Sequence, residues 1–94
     1  MQIAELKNGS SKVSITAKVV EKGKTREVNT RFGQNQVAEA TIEDASGSIV
    51  LVLWGDEIMK INDGDSIKIE NGYVKEWNGT LQLSVGKFGK LTVL

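Results

Sequence analysis

The sequence predicts an all-β fold, a small closed barrel of five strands with one short helix between the third and the fourth. Three observations predict it. Apolar residues recur at every second position in successive stretches, clusters of Gly, Asn and Asp break the chain at short intervals, and a single stretch, 56–61, reads as helix. The 94 residues suit one domain, taken as 1–94, with no internal repeat, no low-complexity segment and no proline.

The first strand is 12–21, where Val13, Ile15, Ala17 and Val19 fall on one side. Residues 22–34 are polar, charged and glycine-containing, a loop or a long hairpin tip. The second strand is 36–43, its apolar content supplied by Val37, Ala40 and Ile42. Asp44-Ala45-Ser46-Gly47 is a turn signal. The third strand, 48–54, puts Ile49, Leu51 and Leu53 on one side and Val50, Val52 and Trp54 on the other.

In the helix at 56–61, Asp56 and Glu57 stand at the N-terminal end and Lys60 at the C-terminal end, as the helix dipole favours. Asn62-Asp63-Gly64-Asp65 breaks the chain before a long fourth strand, 66–77, with an irregularity expected at Asn71-Gly72. Asn78-Gly79 is a strong two-residue hairpin signal, since both positions tolerate positive φ. The fifth strand, 80–85, turns Leu81, Leu83 and Val85 inward, and the tail 86–94 is expected to pack back onto the domain. This order fits a five-stranded Greek-key barrel of the OB type. An SH3-like small barrel is the competing class, and the helix after the third strand favours OB.

Composition removes several functions. Without cysteine there is no disulfide framework and no thiolate chemistry, and without histidine the commonest general base and the remaining usual zinc ligand are gone. No Walker-type or dinucleotide glycine motif is present. The expectation is therefore no enzyme, no catalytic residue, no cofactor and no metal. The longest apolar run, 49–54, is too short to cross a bilayer and the start lacks a signal-peptide pattern, so the reading is cytoplasmic, nucleoid-associated if the source is prokaryotic, with no membrane partner.

A net charge of zero weighs against nucleic acid as partner, but the charges are not evenly spread. Between Lys18 and Arg31, Lys18, Lys22, Lys24, Arg26 and Arg31 face only Glu21 and Glu27, while Glu39, Glu43, Asp44, Asp56, Glu57, Asp63 and Asp65 gather later. An OB barrel offers the face of its middle strands, flanked by the first–second and fourth–fifth loops, to oligonucleotides. Trp54 ends the third strand on the side away from the core, and Tyr73, Lys75 and Trp77 share a side of the fourth. The competing interpretation makes Trp54 and Tyr73 core residues, or an exposed tryptophan a protein-binding anchor.

Stacking reconciles a neutral chain with binding. Base–aromatic stacking gives about 1–3 kcal/mol per base, so three platforms give about 3–9 kcal/mol before ordering costs. A micromolar complex needs about 8 kcal/mol. A few phosphate contacts would add a shallow salt slope of about −1.5 to −3. Arg26, Thr30 and Arg31, on the first loop and strand edge, and Lys75 and Lys87 are the candidates for those contacts. Phe32 reads as a loop aromatic able to close on the strand, and Phe88 is the remaining aromatic. Val50 and Val52 share the outward face with Trp54 yet are apolar, which suits contact with sugars and bases or a protein interface.

Ala38-Glu39-Ala40-Thr41-Ile42-Glu43-Asp44-Ala45-Ser46-Gly47, followed by Leu51-Val52-Leu53-Trp54-Gly55, resembles the simple single-OB single-stranded DNA-binding proteins of archaea and their eukaryotic relatives in the SOSS complex. So does Ile67-Lys68-Ile69-Glu70-Asn71-Gly72-Tyr73-Val74-Lys75-Glu76-Trp77-Asn78-Gly79, with Leu81-Gln82-Leu83 and Gly86. OB domains of replication protein A share parts of both. The resemblance, from Leu6 to about Lys87, implies base stacking on Trp54, Tyr73 and Trp77 and DNA contacts from Arg26, Val28, Thr30 and Arg31. It implies no metal and no enzymatic activity, but protection of single strands and recruitment of replication or repair proteins. Two departures stand out: Ser84 occupies a position that is aromatic in some eukaryotic relatives, and Val50 and Val52 replace residues usually more polar.

The expected function is sequence-tolerant single-stranded DNA binding in replication, recombination or repair, by a monomer or weak oligomer. The alternatives are a protein-interaction OB subunit of a replication protein A-like assembly and an RNA-binding OB module, since stacking platforms tolerate either sugar.

Overall fold

The computed structural model describes residues 2–31 and 33–94, the side chains of Thr30, Lys87 and Phe88 excepted. A single turn of 3-10 helix (Ile3–Glu5) precedes β1 (Val13–Lys22), β2 (Arg26–Thr30), β3 (Gly33–Asp44), β4 (Gly47–Trp54), α1 (Glu57–Lys60), β5 (Ser66–Trp77) and β6 (Thr80–Val93). The sheet order is β1-β5-β6-β4-β3-β2, and an added β1–β3 pairing closes a ring that leaves β2 outside it. Among the described residues only β4 and β6 run parallel, over Val50–Gln82, Leu51–Leu83 and Val52–Ser84. This is the OB fold, with its helix between the third and fourth strands of the ring as the sequence predicts.

In 22–34 the hairpin alternative holds, and both this stretch and the tail carry strand beyond the five predicted segments. Within 22–34, β2 folds back on β3 as a hairpin from Arg26–Val37 to Thr30–Gly33. The tail does not merely pack on the domain: it prolongs β6, whose Leu91 and Val93 pair with Ile69 and Ile67 of β5.

The core follows the alternation. Val13, Ile15, Ala17 and Val19 of β1 point inward with Ala38, Ala40 and Ile42 of β3, Ile49, Leu51 and Leu53 of β4, Ile67, Ile69 and Val74 of β5, and Leu83 and Leu91 of β6. Ile58 and Ile61 close one end from α1 and the segment after it. The four-residue helix is held from outside its own sequence: the Lys22 ammonium donates to the carbonyls of Ile58 at 2.9 Å and Ile61 at 3.0 Å. Lys22 thus stabilises the C-terminal end of α1, where a cation opposes the helix dipole. At the N-terminus, the Asp44 carboxylate accepts the Ile3 N–H at 2.9 Å, the Ser46 N–H at 2.7 Å and the Ser46 hydroxyl at 2.5 Å.

One irregularity decides which side chains leave the core. Ile67 and Ile69 of β5 face inward, but beyond Asn71 the inward residues are Gly72 and Val74. Asn71 has φ 57, and pairing slips here on both sides: β1 passes from Ile15–Ile69 to Val13–Gly72, and β6 from Glu70–Lys90 to Gly72–Val85. A bulge shifts the two-residue period by one step, so every side chain after it changes face. Gly72 then passes so close to β6 that a Cβ would lie 3.0 Å from the Ser84 carbonyl oxygen and 3.2 Å from the Ile69 and Leu83 side chains. The hairpin turn at Asn78 (φ 51) and Gly79 (φ 79) has both central residues left-handed, as the dipeptide predicts.

Candidate nucleic-acid interface

Past the bulge, Tyr73, Lys75 and Trp77 point away from the core, while their β6 neighbours present Gln82 and Ser84 between the inward Leu81, Leu83 and Val85. Cross-strand pairing arranges this outer face in rows. Lys75, Gln82, Val50 and Thr41 form one row; Tyr73, Ser84, Val52 and Glu39 the next; Trp54, Val37 and Arg26 a third. Trp77 lies beside the hairpin turn, paired with Thr80.

All three large aromatics reach solvent: Trp54 and Tyr73 are each 39% exposed and Trp77 67%. The alternative that Trp54 and Tyr73 fill the core is thereby excluded. Both indoles line one shallow groove, with Val37, Val52, Gln82, Arg26 and Glu39 making the rest of its wall and floor. Val37 and Val52 are buried, yet neither belongs to the inner core cluster. They form an apolar floor on the outside of the sheet. Val52 therefore offers little surface to a protein partner, and Val50 is half-buried. Val37, part of the apolar content of its strand, has the opposite parity to Ala38, Ala40 and Ile42 and lies under the groove. That mismatch in parity was the available signal for it.

The groove continues along the face. Glu39 also lines a furrow with Thr41 and Val50, and these last two line a cleft of ≈ 480 Å³ reaching Thr80 and Leu81 at the start of β6.

Around Trp54 the backbone is tied on both sides. Its N–H donates to the Glu57 carboxylate at 3.0 Å, and the next N–H, of Gly55 in the left-handed region (φ 53), donates to the Gln36 carbonyl at 2.9 Å. Burial raises the Glu57 carboxyl above its ordinary range, and the Trp54 N–H and the Lys60 charge oppose that rise. Asp44, at the far end of β3, is held down at about 2, first by the Ser46 hydroxyl and then by the Ile3 N–H.

The basic residues are only partly free for phosphate. The Arg26 guanidinium lies 3.3 Å from the Glu39 carboxylate, both well exposed. Lys22 serves α1. Arg31 and Lys75 are exposed, Lys75 standing between Tyr73 and Trp77 on β5, and Val28 is exposed on β2 opposite Asn35. The side chains of Thr30, Lys87 and Phe88, and all of Phe32, lie outside the described residues. Glu39 and Gln82, central to the groove, were not among the sequence candidates, because neither polar side chain announces its face without the strand register.

A family model described as single-stranded DNA binding protein Ssb-like, OB fold, matches residues 6–93. The chain belongs to this family. The single-stranded DNA binding protein Ssb of Saccharolobus solfataricus is 31% identical over 90 residues, covering 96% of this chain and 61% of that protein, so the chain spans about three fifths of the relative's length. The second OB-fold domain of replication protein A from Methanococcus maripaludis is 27% identical, with a TM-score of 0.81 over 100% of this chain and 93% of that one. The replication factor A related protein from Methanobacterium thermoautotrophicum shares the fold, with a TM-score of 0.83 at 24% identity, over 100% of this chain and 89% of that one. No helix among the described residues is long and apolar enough to cross a membrane.

Proposed function

We propose that this OB domain grips single-stranded DNA by stacking bases on Trp54, Trp77 and Tyr73, and that it protects such strands in replication, recombination or repair. The observation that carries the reading is the shared groove: two solvent-facing indoles flank a floor of buried valines on the outer side of the sheet. Aromatic faces beside an apolar floor accept any base, because every base has a π-face. Lys75, between Tyr73 and Trp77, supplies charge beside the groove, exposed Arg31 after β2 is a further candidate for a phosphate, and Arg26 can join them by leaving Glu39, since an exposed ion pair is worth only about 0–1 kcal/mol. Charge is the smaller contributor, in keeping with a net charge of zero.

Tryptophan fluorescence tests this. Oligo-dT should quench the emission on binding, with a shallow salt dependence. Trp54→Ala together with Trp77→Ala should abolish binding while circular dichroism shows the fold retained. A folded double variant that binds as tightly as the parent would sink the assignment.

A further inference from the structure

A carboxylate in the middle of a surface that grips a polyanion calls for explanation. Glu39 shares a row with Tyr73, Ser84 and Val52, and it lines both the groove of the two tryptophans and the furrow that continues to Thr41 and Val50. Its strand is fixed from both edges. The residue pairs with Val52 of β4, and its carbonyl accepts the Gly23 N–H at 2.7 Å. The approach is so close that a Cβ on Gly23 would stand 2.8 Å from that oxygen, so only glycine allows it. The side chain therefore springs from a rigid strand, the kind of element that holds a functional group in place.

An ionised carboxylate repels phosphate and accepts hydrogen bonds without donating any. A single strand laid along the groove with its phosphates away from this carboxylate would turn base edges toward Glu39. Guanine offers two adjacent donors, N1–H and the 2-amino group, matching the two carboxylate oxygens. Cytosine and adenine offer one amino group. Thymine offers a single N–H flanked by two carbonyl oxygens, which face the carboxylate unfavourably. Arg26 reaches Glu39 through one oxygen at 3.3 Å and keeps the pair near neutral until a base arrives.

We infer that Glu39 is a base-reading residue that biases the groove toward amino-bearing bases, guanine above all, and against thymine. The inference rests on the nucleic-acid binding proposed above, and the following experiment separates the two. Dissociation constants are measured by tryptophan fluorescence for oligo-dT and for an alternating dT-dG strand of equal length, in which a shift of at most one nucleotide brings guanine to Glu39. Stacking alone also favours a purine, so the deciding quantity is the ratio of the two constants in the wild type against that in Glu39→Gln and Glu39→Ala.

The ratio should fall about fivefold or more in both variants, within the discrimination a direct base contact provides, while affinity for oligo-dT rises as the negative charge is lost. A ratio that stays unchanged, with both strands binding more tightly, would show the carboxylate acting as charge alone and overturn the inference while leaving the proposed function standing. If neither strand binds the wild type, both are overturned.

Discussion

The Glu57 carboxylate accepts the backbone N–H of Trp54 at 3.0 Å, so the first turn of α1 fixes the point where β4 ends and the indole leaves the sheet. Burial raises the Glu57 carboxyl, which sets the sign of its pH effect. A folded-state value above the unfolded one means that protonation favours the fold, so the group's cost is absent below the unfolded value and grows as pH rises through the folded one. Glu57→Gln keeps an oxygen for the Trp54 N–H and removes the charge. It should melt at an equal or higher temperature than wild type at pH 7, and below about pH 4 the gap should vanish. Glu57→Ala loses the acceptor and should be less stable by about 0.5–1.5 kcal/mol in urea titration.

Asp44 has the opposite sign. Its carboxyl is held at about 2 by the Ser46 hydroxyl and the Ile3 N–H, so its contribution is complete above the unfolded value and is lost as pH falls toward 2. Thermal melts from pH 7 to pH 2 should show the wild type losing stability across that window and Asp44→Asn losing less. Equal acid slopes for the two proteins would contradict the assignment.

Lys22 tests whether the basic run before Arg31 acts as one patch. Its ammonium is engaged with the carbonyls of Ile58 and Ile61. Lys22→Ala should lower stability by about 1–2 kcal/mol and leave oligo-dT affinity and its salt slope unchanged. Lys75→Ala should do the reverse, keeping the melting temperature and reducing the salt slope by about 1.

Trp54 and Trp77 should separate in stability although both serve the groove. Trp77 is 67% exposed beside the hairpin turn, so Trp77→Ala should change stability by no more than about 0.5 kcal/mol. Trp54 stands directly across from buried Val37, and Trp54→Ala should cost more in chemical denaturation. Each single change should weaken oligo-dT binding by about 1–3 kcal/mol.

Asn71 controls the facing of Tyr73. Asn71→Gly keeps the left-handed conformation open and should be tolerated. Asn71→Val forces a β-branched residue to φ 57 and should cost about 1–2 kcal/mol in urea titration. Gly72→Ala should also destabilise, because its Cβ meets the Ser84 carbonyl oxygen of the neighbouring strand.

Much of this was legible in the chain. The two-residue alternation of Val13, Ile15, Ala17 and Val19, and of Ile49, Leu51 and Leu53, identifies core faces without coordinates, because burial rewards apolar side chains on one side of a strand. From the second of those patterns the outward direction of Trp54 follows directly. Asn78-Gly79 specifies its turn because both residues accept positive φ. These are local properties, carried by neighbours in sequence.

The position of Tyr73 is different. The Asn-Gly pair marks an irregularity, but that it moves the strand by one step is settled by the pairing with β1 and β6 on either side. The pairing of β4 with β6 likewise brings Val52 and Ser84 together from distant parts of the chain. Val37, Glu39 and Gln82 acquire a common groove only when their strands lie side by side. Alternation along one strand tells which residues share a face; which faces meet, and which charge ends beside which ring, depends on contacts between residues far apart in sequence.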